Sequence, residues 1–310
     1  MTIESAFDKI RKTGVNKETI YTCYVTDDKK HLIGVVTVKD LLLASVAETI
    51  ENVMDTNLVT VETLEDKEQV AMKFSKYDFL ALPVIDKEGC IVGIVTVDDA
   101  VDVLQEEATE DIQKMAAMLP TEKPYLKQSV FNIWKARIPW LLLLMVSATF
   151  TSLILSNYEG RLSLLVSGAT LYAFVPMLMD TAGNAGSQSS VTIVRALALG
   201  DVEFKDILKV IWKELRAAFF LAITVATVCF VKILLIDKLY NDGVTVEIAA
   251  IVSLVLMATI MLAKLVGCIL PLLAKKCKLD PAVVASPFIT TIVDALSLII
   301  YCSTSIALLP

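Results

Sequence analysis

A single carboxylate, Asp294, stands in an otherwise uncharged run at residues 281–310. An acid deep among apolar neighbours costs about 2.5–3.5 kcal/mol at the centre of a membrane helix, so it is retained where it meets a cation. Thr290 and Thr291 precede it by about one turn and add hydroxyl oxygens. The alternative is an internal pair with Lys264, unless that lysine snorkels toward an interface. A second oxygen-bearing group lies at 176–190, where Asp180, Asn184 and Gln188 recur every four residues. That spacing puts them on one helix face. Pro176, Gly183 and Gly186 predict a broken helix here, whose freed carbonyls line a cavity. Tight packing of small residues between helices is the other reading of the same stretch.

The ligand chemistry is hard. Six cysteines are scattered without a CxxC pair and there is one histidine, so zinc ribbons and disulfide frameworks are excluded. Oxygen donors alone select magnesium, calcium or manganese over softer metals. A site with few protein ligands and several waters suits magnesium better than calcium, which takes six to eight oxygens. No P-loop and no Ser/His/Asp grouping is present, and no enzymatic activity is expected.

A third group is acidic. Asp99, Asp102, Glu106 and Glu110 fall at three- and four-residue steps and form a ridge on one helix. Like charges so placed repel unless cations sit between them; a solvated face is the simpler reading of the spacing alone. Finally, Thr37-x-x-Asp40 recurs as Thr96-x-x-Asp99. Either pair can cap a helix, and either can present a carboxylate to a ligand.

The elements that position these residues divide in two. Residues 1–122 carry 24 acidic and 12 basic residues, a net of −12, whereas 123–310 carry 11 and 16, a net of +5. The whole chain is 55% hydrophobic. Two parts in different solvents explain the asymmetry. About 20 apolar residues span a bilayer. The runs 138–157 and 162–179 are uncharged, 217–236 contains only Lys232, 248–274 only Lys264, and 281–310 only Asp294. Five transmembrane helices are expected. Basic residues crowd the segment before the first run and the loops between the second and third and between the fourth and fifth, and such residues mark the cytoplasmic side. This predicts a multi-pass protein of the cell membrane with a cytoplasmic N-terminus and Pro310 outside. Pro120 and Pro124 interrupt the chain before an amphipathic segment at 125–137, with Leu126, Val130 and Trp134 on one side.

The acidic part contains an internal repeat. Val25, Gly34, Thr37 and Asp40 find counterparts in Val84, Gly93, Thr96 and Asp99, each 59 residues on. Each unit reads as strand, polar turn, strand and helix. The pattern resembles the CBS-domain pair, and the resemblance implies a regulatory module whose Thr37, Asp40, Thr96 and Asp99 take ATP or another adenine nucleotide. Nothing precedes the first unit to match the strand-like segment 55–61, so an N-terminally shortened chain is expected.

Two CBS units, an acidic connecting helix, five spans, Gly183-Asn184-x-Gly186-x-Gln188 and Asp280-Pro281-Ala282 followed by Thr290-Thr291-x-x-Asp294 together resemble the MgtE-type magnesium channel family. The fold expected is an α/β CBS-domain pair followed by an all-α transmembrane domain of five helices. Its parts are 1–44 (first CBS unit, incomplete), 45–105 (second), 106–137 (acidic and amphipathic connecting helix) and 138–310 (pore domain). The resemblance implies a homodimer in a lipid bilayer, passing Mg2+ inward past Asp294, with Asn184 and Gln188 in its signature and no nucleic-acid partner. It also implies a Mg2+ sensor at Asp66, Glu68, Asp78, Asp99, Asp102, Glu107, Glu110 and Asp111. The alternatives are a channel or transporter for Mn2+, Co2+ or Ca2+, and a membrane-anchored CBS receptor that transports nothing.

Overall fold

The computed structural model describes residues 1–121, 123–165, 168–240, 243–284 and 286–309, with the side chain of Ser286 left out. Pro310, the expected outer terminus, lies outside the described residues. The chain forms two compact units, residues 1–109 and 110–310, and the division falls inside one helix.

In the first unit the repeat is visible as matched register. Strands β1 (Thr22–Thr26) and β2 (Leu32–Thr37) form an antiparallel hairpin in which Val25 faces Gly34. Strands β4 (Ala81–Ile85) and β5 (Ile91–Thr96) repeat it, with Val84 facing Gly93 and the irregularity at the same place. Both turns are built by an aspartate. Asp27 accepts hydrogen bonds from the backbone N–H of Lys29 and His31, and Asp86 from those of Glu88 and Cys90. Short side-chain acceptors in a turn do this routinely. Helices α1 (Ile3–Thr13) and α4 (Lys67–Tyr77) precede the two hairpins, and α2 (Val38–Leu43) and α5 (Val97–Met115) follow them. The short helix α3 (Ile50–Val53) leads to β3 (Val61–Glu62), which pairs parallel to β4. Ile3, Val36, Leu41 and Ile50 fill one core, and Val61, Val70, Phe74 and Leu82 the other.

The two hairpins differ at one point. Met54 crosses β2 where a Cβ on Gly34 would stand, and Asp55 bridges Val35 there. Only glycine leaves room for this approach. Nothing lies within 4 Å of the same point on Gly93.

The second unit is helical: α6 (Val130–Leu162), α7 (Gly168–Ala198), α8 (Ile207–Lys232), α9 (Lys238–Tyr240), α10 (Val246–Lys276) and α11 (Ser286–Leu308). A π-helical turn, Ile233–Asp237, joins α8 to α9. Helix α7 packs on α10 and α11, α8 on α10, and α6 along α11. Among the described residues four helical stretches are long and apolar enough to cross a membrane: Val130–Leu162, Phe204–Tyr240, Val246–Lys276 and Pro287–Leu308. The fifth expected span, α7, has the length, and its polar residues take it out of that set.

Three boundaries differ from expectation. The second span starts at Gly168 and runs on to Ala198, where 162–179 was expected, because its polar second half is helical too. The last begins at Ser286 and not at 281, because 281–284 form turns after Asp280. The amphipathic segment at 125–137 is a 3-10 turn, Tyr125–Lys127, followed by the start of α6, where Ser129 caps the helix by accepting from the N–H of Asn132.

Candidate functional site

Helix α7 carries two opposite faces through its second half. Ala182, Gly183, Gly186, Ser189 and Ser190 are buried against neighbours, while Asp180, Asn184 and Gln188 are exposed. The helix is not broken here: α7 is continuous through Pro176 to Ala198. The glycines that were expected to unwind it instead bring other helices close. A Cβ on Gly183 would stand 3.2 Å from Thr290 Cγ2 and 3.5 Å from Asp294 Oδ1. One on Gly186 would meet the Ala263 carbonyl at 3.1 Å, and the carbonyl of Gly186 fills the corresponding place beside Gly267. Small residues pack membrane helices this way. The packing reading of the stretch therefore holds on one face, and the other face carries the polar residues without any break in the helix.

Asp294 sits half-buried on α11 against this glycine face. Asp180 lies one turn before Gly183 on α7. Among the described residues no lysine or arginine pairs with either acid within 4 Å. Lys264, the expected alternative partner, is buried on α10 and points its Nζ to Gln188 Oε1 at 3.5 Å. Thr290 and Thr291 donate their hydroxyls to the carbonyl of Pro287, at 2.9 and 3.1 Å, which leaves oxygen lone pairs free to accept. Asp294 and Thr290 stand at the α7–α11 contact with Thr291 beside them, while Asp180, Asn184 and Gln188 line the exposed face of α7. They can hold a hard cation with part of its water shell. No cluster of three or more His, Cys, Asp or Glu able to hold a metal occurs among the described residues.

Two further groups escaped the sequence reading. Glu214 of α8 accepts a 2.5 Å hydrogen bond from the buried Ser189. Its signal was an acid among the basic residues of 205–216. Lys114, near the end of α5, contacts Glu110 and Asp280, each at 2.5 Å. Burial pulls the Lys114 pKa down, but the hydrogen bonds its ammonium donates to Asp280 and Glu110 hold it well above its ordinary value. Beside this contact Met115 packs on Val194 and Ala282.

The expected sensor acids are spread over several local roles. Asp66 caps α4 by accepting from the N–H of Glu68. Asp78 ends the same helix in the left-handed conformation, φ 55°. Glu107, with Glu106, pairs with Lys67 at 3.0 and 3.5 Å. Glu110 pairs with Lys114. Asp99 accepts from the Thr96 hydroxyl at 3.0 Å. Asp102 and Asp111 lie on α5 with them.

Of the two Thr–Asp pairs, the first is a helix cap. Thr37 and Asp40 form a reciprocal capping box on α2, the role their spacing favours. The hydrogen bonds from Thr37 hold the Asp40 carboxyl below its usual range. A recess of about 490 Å3 in the same unit is lined by Lys9, Ile10, Lys17, Ile20, Tyr24 and Ile94 among others, and neither Thr–Asp pair lines it. The buried Tyr24 hydroxyl has no hydrogen-bond partner among the described residues.

Comparison with known proteins follows the same division. The family profile described as a divalent cation transporter, MgtE, matches residues 175–304. The CBS domain profile matches 1–47 and 50–106. The magnesium transporter MgtE of Thermus thermophilus is 39% identical over 310 residues, which is 100% of this chain and 66% of that protein. The magnesium transporter MgtE of Bacillus subtilis is 33% identical over 300 residues, covering 97% and 64%. The chain thus spans slightly under two thirds of the length of these relatives. A solved cytosolic domain of the Mg2+ channel MgtE in complex with ATP is 44% identical, covers 33% of this chain and 42% of that one, and superposes with a TM-score of 0.33.

Proposed function

Because the chain belongs to the MgtE divalent cation transporter family, we propose that it mediates Mg2+ influx across the cell membrane, with Asp294 in the ion path. One observation carries this reading. Asp180, Asn184 and Gln188 are exposed on a helix of an otherwise apolar bundle, and Asp294 stands against the glycine face of that same helix. Such a stripe cannot face lipid without large cost, so it faces water or a second copy of itself. A homodimer whose two α7–α11 faces enclose a pore satisfies both conditions. Paired Asp294 carboxylates on its axis would draw a divalent cation electrostatically. The amides and hydroxyls replace only part of the water shell, which suits magnesium.

The basic loops support a cytoplasmic N-terminus. In this reading cytosolic Mg2+ binds between the acids Asp66, Glu68, Asp78, Asp99, Asp102, Glu107, Glu110 and Asp111 when copies approach. It screens their repulsion and biases the protein toward a closed state. An adenine nucleotide is the proposed ligand of the CBS pair, supported by the two Thr–Asp pairs.

The test is Mg2+ uptake into proteoliposomes by the purified chain and by Asp294→Ala. The expected result is uptake by the former and at least a tenfold loss in the variant, with its Tm and oligomeric state unchanged. Entry of Mn2+, Co2+ or Ca2+ without Mg2+ would retain the channel and change its ion. Silence toward every cation by the intact chain would overturn the pore and favour the anchored receptor.

A further inference from the structure

Between the end of α5 and the start of α6 the chain folds back to form a recess of about 380 Å3. Pro120, Thr121, Lys123, Gln128, Asn132 and Lys135 line it, and none of the described lining residues is acidic. Its walls are tied by hydrogen bonds across sequence. The N–H of Leu119 donates to the Ala136 carbonyl at 2.9 Å, and that of Thr121 to Gln113 Oε1 at 2.7 Å. Gln128 Nε2 donates to the Thr121 hydroxyl and the Lys123 carbonyl.

The recess lies where the chain enters its first long apolar helix. The uncharged run starts at residue 138, so Lys135 stands three residues, about 4–5 Å along a helix, before it. Around it Tyr125, Leu126, Phe131 and Trp134 are exposed, the last two stacked at 5.3 Å. Exposed aromatics at the end of an apolar span mark the headgroup level. From 119 to 137 four basic residues, Lys123, Lys127, Lys135 and Arg137, stand against one acid, Glu122. This local excess occurs in a chain of net charge −7.

Two ammonium groups with hydroxyl and amide donors, in a concave site at headgroup depth, have the chemistry of a phosphate binder. We propose that this recess takes the phosphate of an acidic phospholipid headgroup, with its acyl chains along the exposed face of α6. A lipid so held ties the α5–α6 connection to the bilayer surface. The inference requires only that α6 lies in a membrane and holds whether or not the chain conducts magnesium.

Native mass spectrometry of the full chain released from nanodiscs of phosphatidylcholine and phosphatidylglycerol tests this. The expected result is retained phosphatidylglycerol, at least tenfold depleted in K123Q/K135Q and kept in K123R/K135R. K127Q/R137Q removes equal charge from the same interface outside the recess and keeps the lipid. Equal loss in K127Q/R137Q would mean diffuse basic attraction and overturn the site. Equal retention by K123Q/K135Q, or equal retention of phosphatidylcholine, would also overturn it. Displacement of the lipid by millimolar inorganic phosphate would assign the recess to free phosphate and overturn the lipid.

Discussion

The backbone carbonyl of Gly186 occupies the place where a Cβ on Gly267 would stand, so α7 and α10 meet backbone to backbone. Neither a rotamer change nor a side-chain shift can relieve a methyl group introduced there, because the obstacle is main chain. Gly186 is in turn packed on Ile289 and Val293 of α11. This one contact therefore sets the distance between the helix bearing Asp180, Asn184 and Gln188 and the helix bearing Asp294.

Gly267→Ala is expected to destabilise the helical unit by about 1–3 kcal/mol, the usual cost of overpacking. Uptake falls with it, since α7 must move off α10. Gly160→Ala is the matched control. Nothing lies within 4 Å of a Cβ there, and alanine is the better helix former by about 1 kcal/mol. Tm and proteoliposome flux of the two variants check this. Equal Tm values would show that the glycine contact does not constrain the bundle.

Lys67 spans the carboxylates of Glu106 and Glu107 from the facing helix. It supplies with its own ammonium the positive charge that a bound cation would bring. Lys67→Gln releases both acids, and the Mg2+ concentration that half-protects the first unit from protease should fall severalfold. An unchanged midpoint would remove Glu107 from the proposed Mg2+-binding set.

Asp40 gives a pH-dependent effect with a defined sign. Its folded carboxyl titrates below the ordinary 3.8, first because of the Thr37 hydroxyl and then the Thr37 N–H. The stability it contributes is complete above that ordinary value and is lost as pH falls below it through the folded value. Protection of the β2–α2 amides against hydrogen exchange should not vary through this group between about pH 5 and 8, and should decline in stronger acid. Asp40→Asn should lower that protection at pH 7 by about 1 kcal/mol, the usual worth of a helix cap, and abolish the acid-dependent part. Nucleotide binding measured on the same variant separates capping from ligand contact: a loss beyond that stability change assigns Asp40 to the ligand.

Much of this was legible along the chain because it depends on local geometry. The 59-residue repeat became two hairpins of identical register, since alternation and turn residues act over a few positions. The apolar runs became long helices, and the four-residue spacing of Asp180, Asn184 and Gln188 became one exposed stripe, because helical rise and turn are constant. Pro176 and the glycines misled. Their intrinsic preferences argue for a break, but close packing against α10 and α11 keeps α7 helical.

What only the tertiary structure decided is which distant groups meet. That Gly183 faces Asp294, that Ser189 donates to Glu214, that Lys264 points to Gln188, and that Lys114 reaches Asp280 across 166 positions depends on helix packing. Spacing fixes the face on which a side chain lies. The partner on that face is chosen by the packing of whole helices, which buries far more surface than any one polar pair, and so no local pattern encodes it.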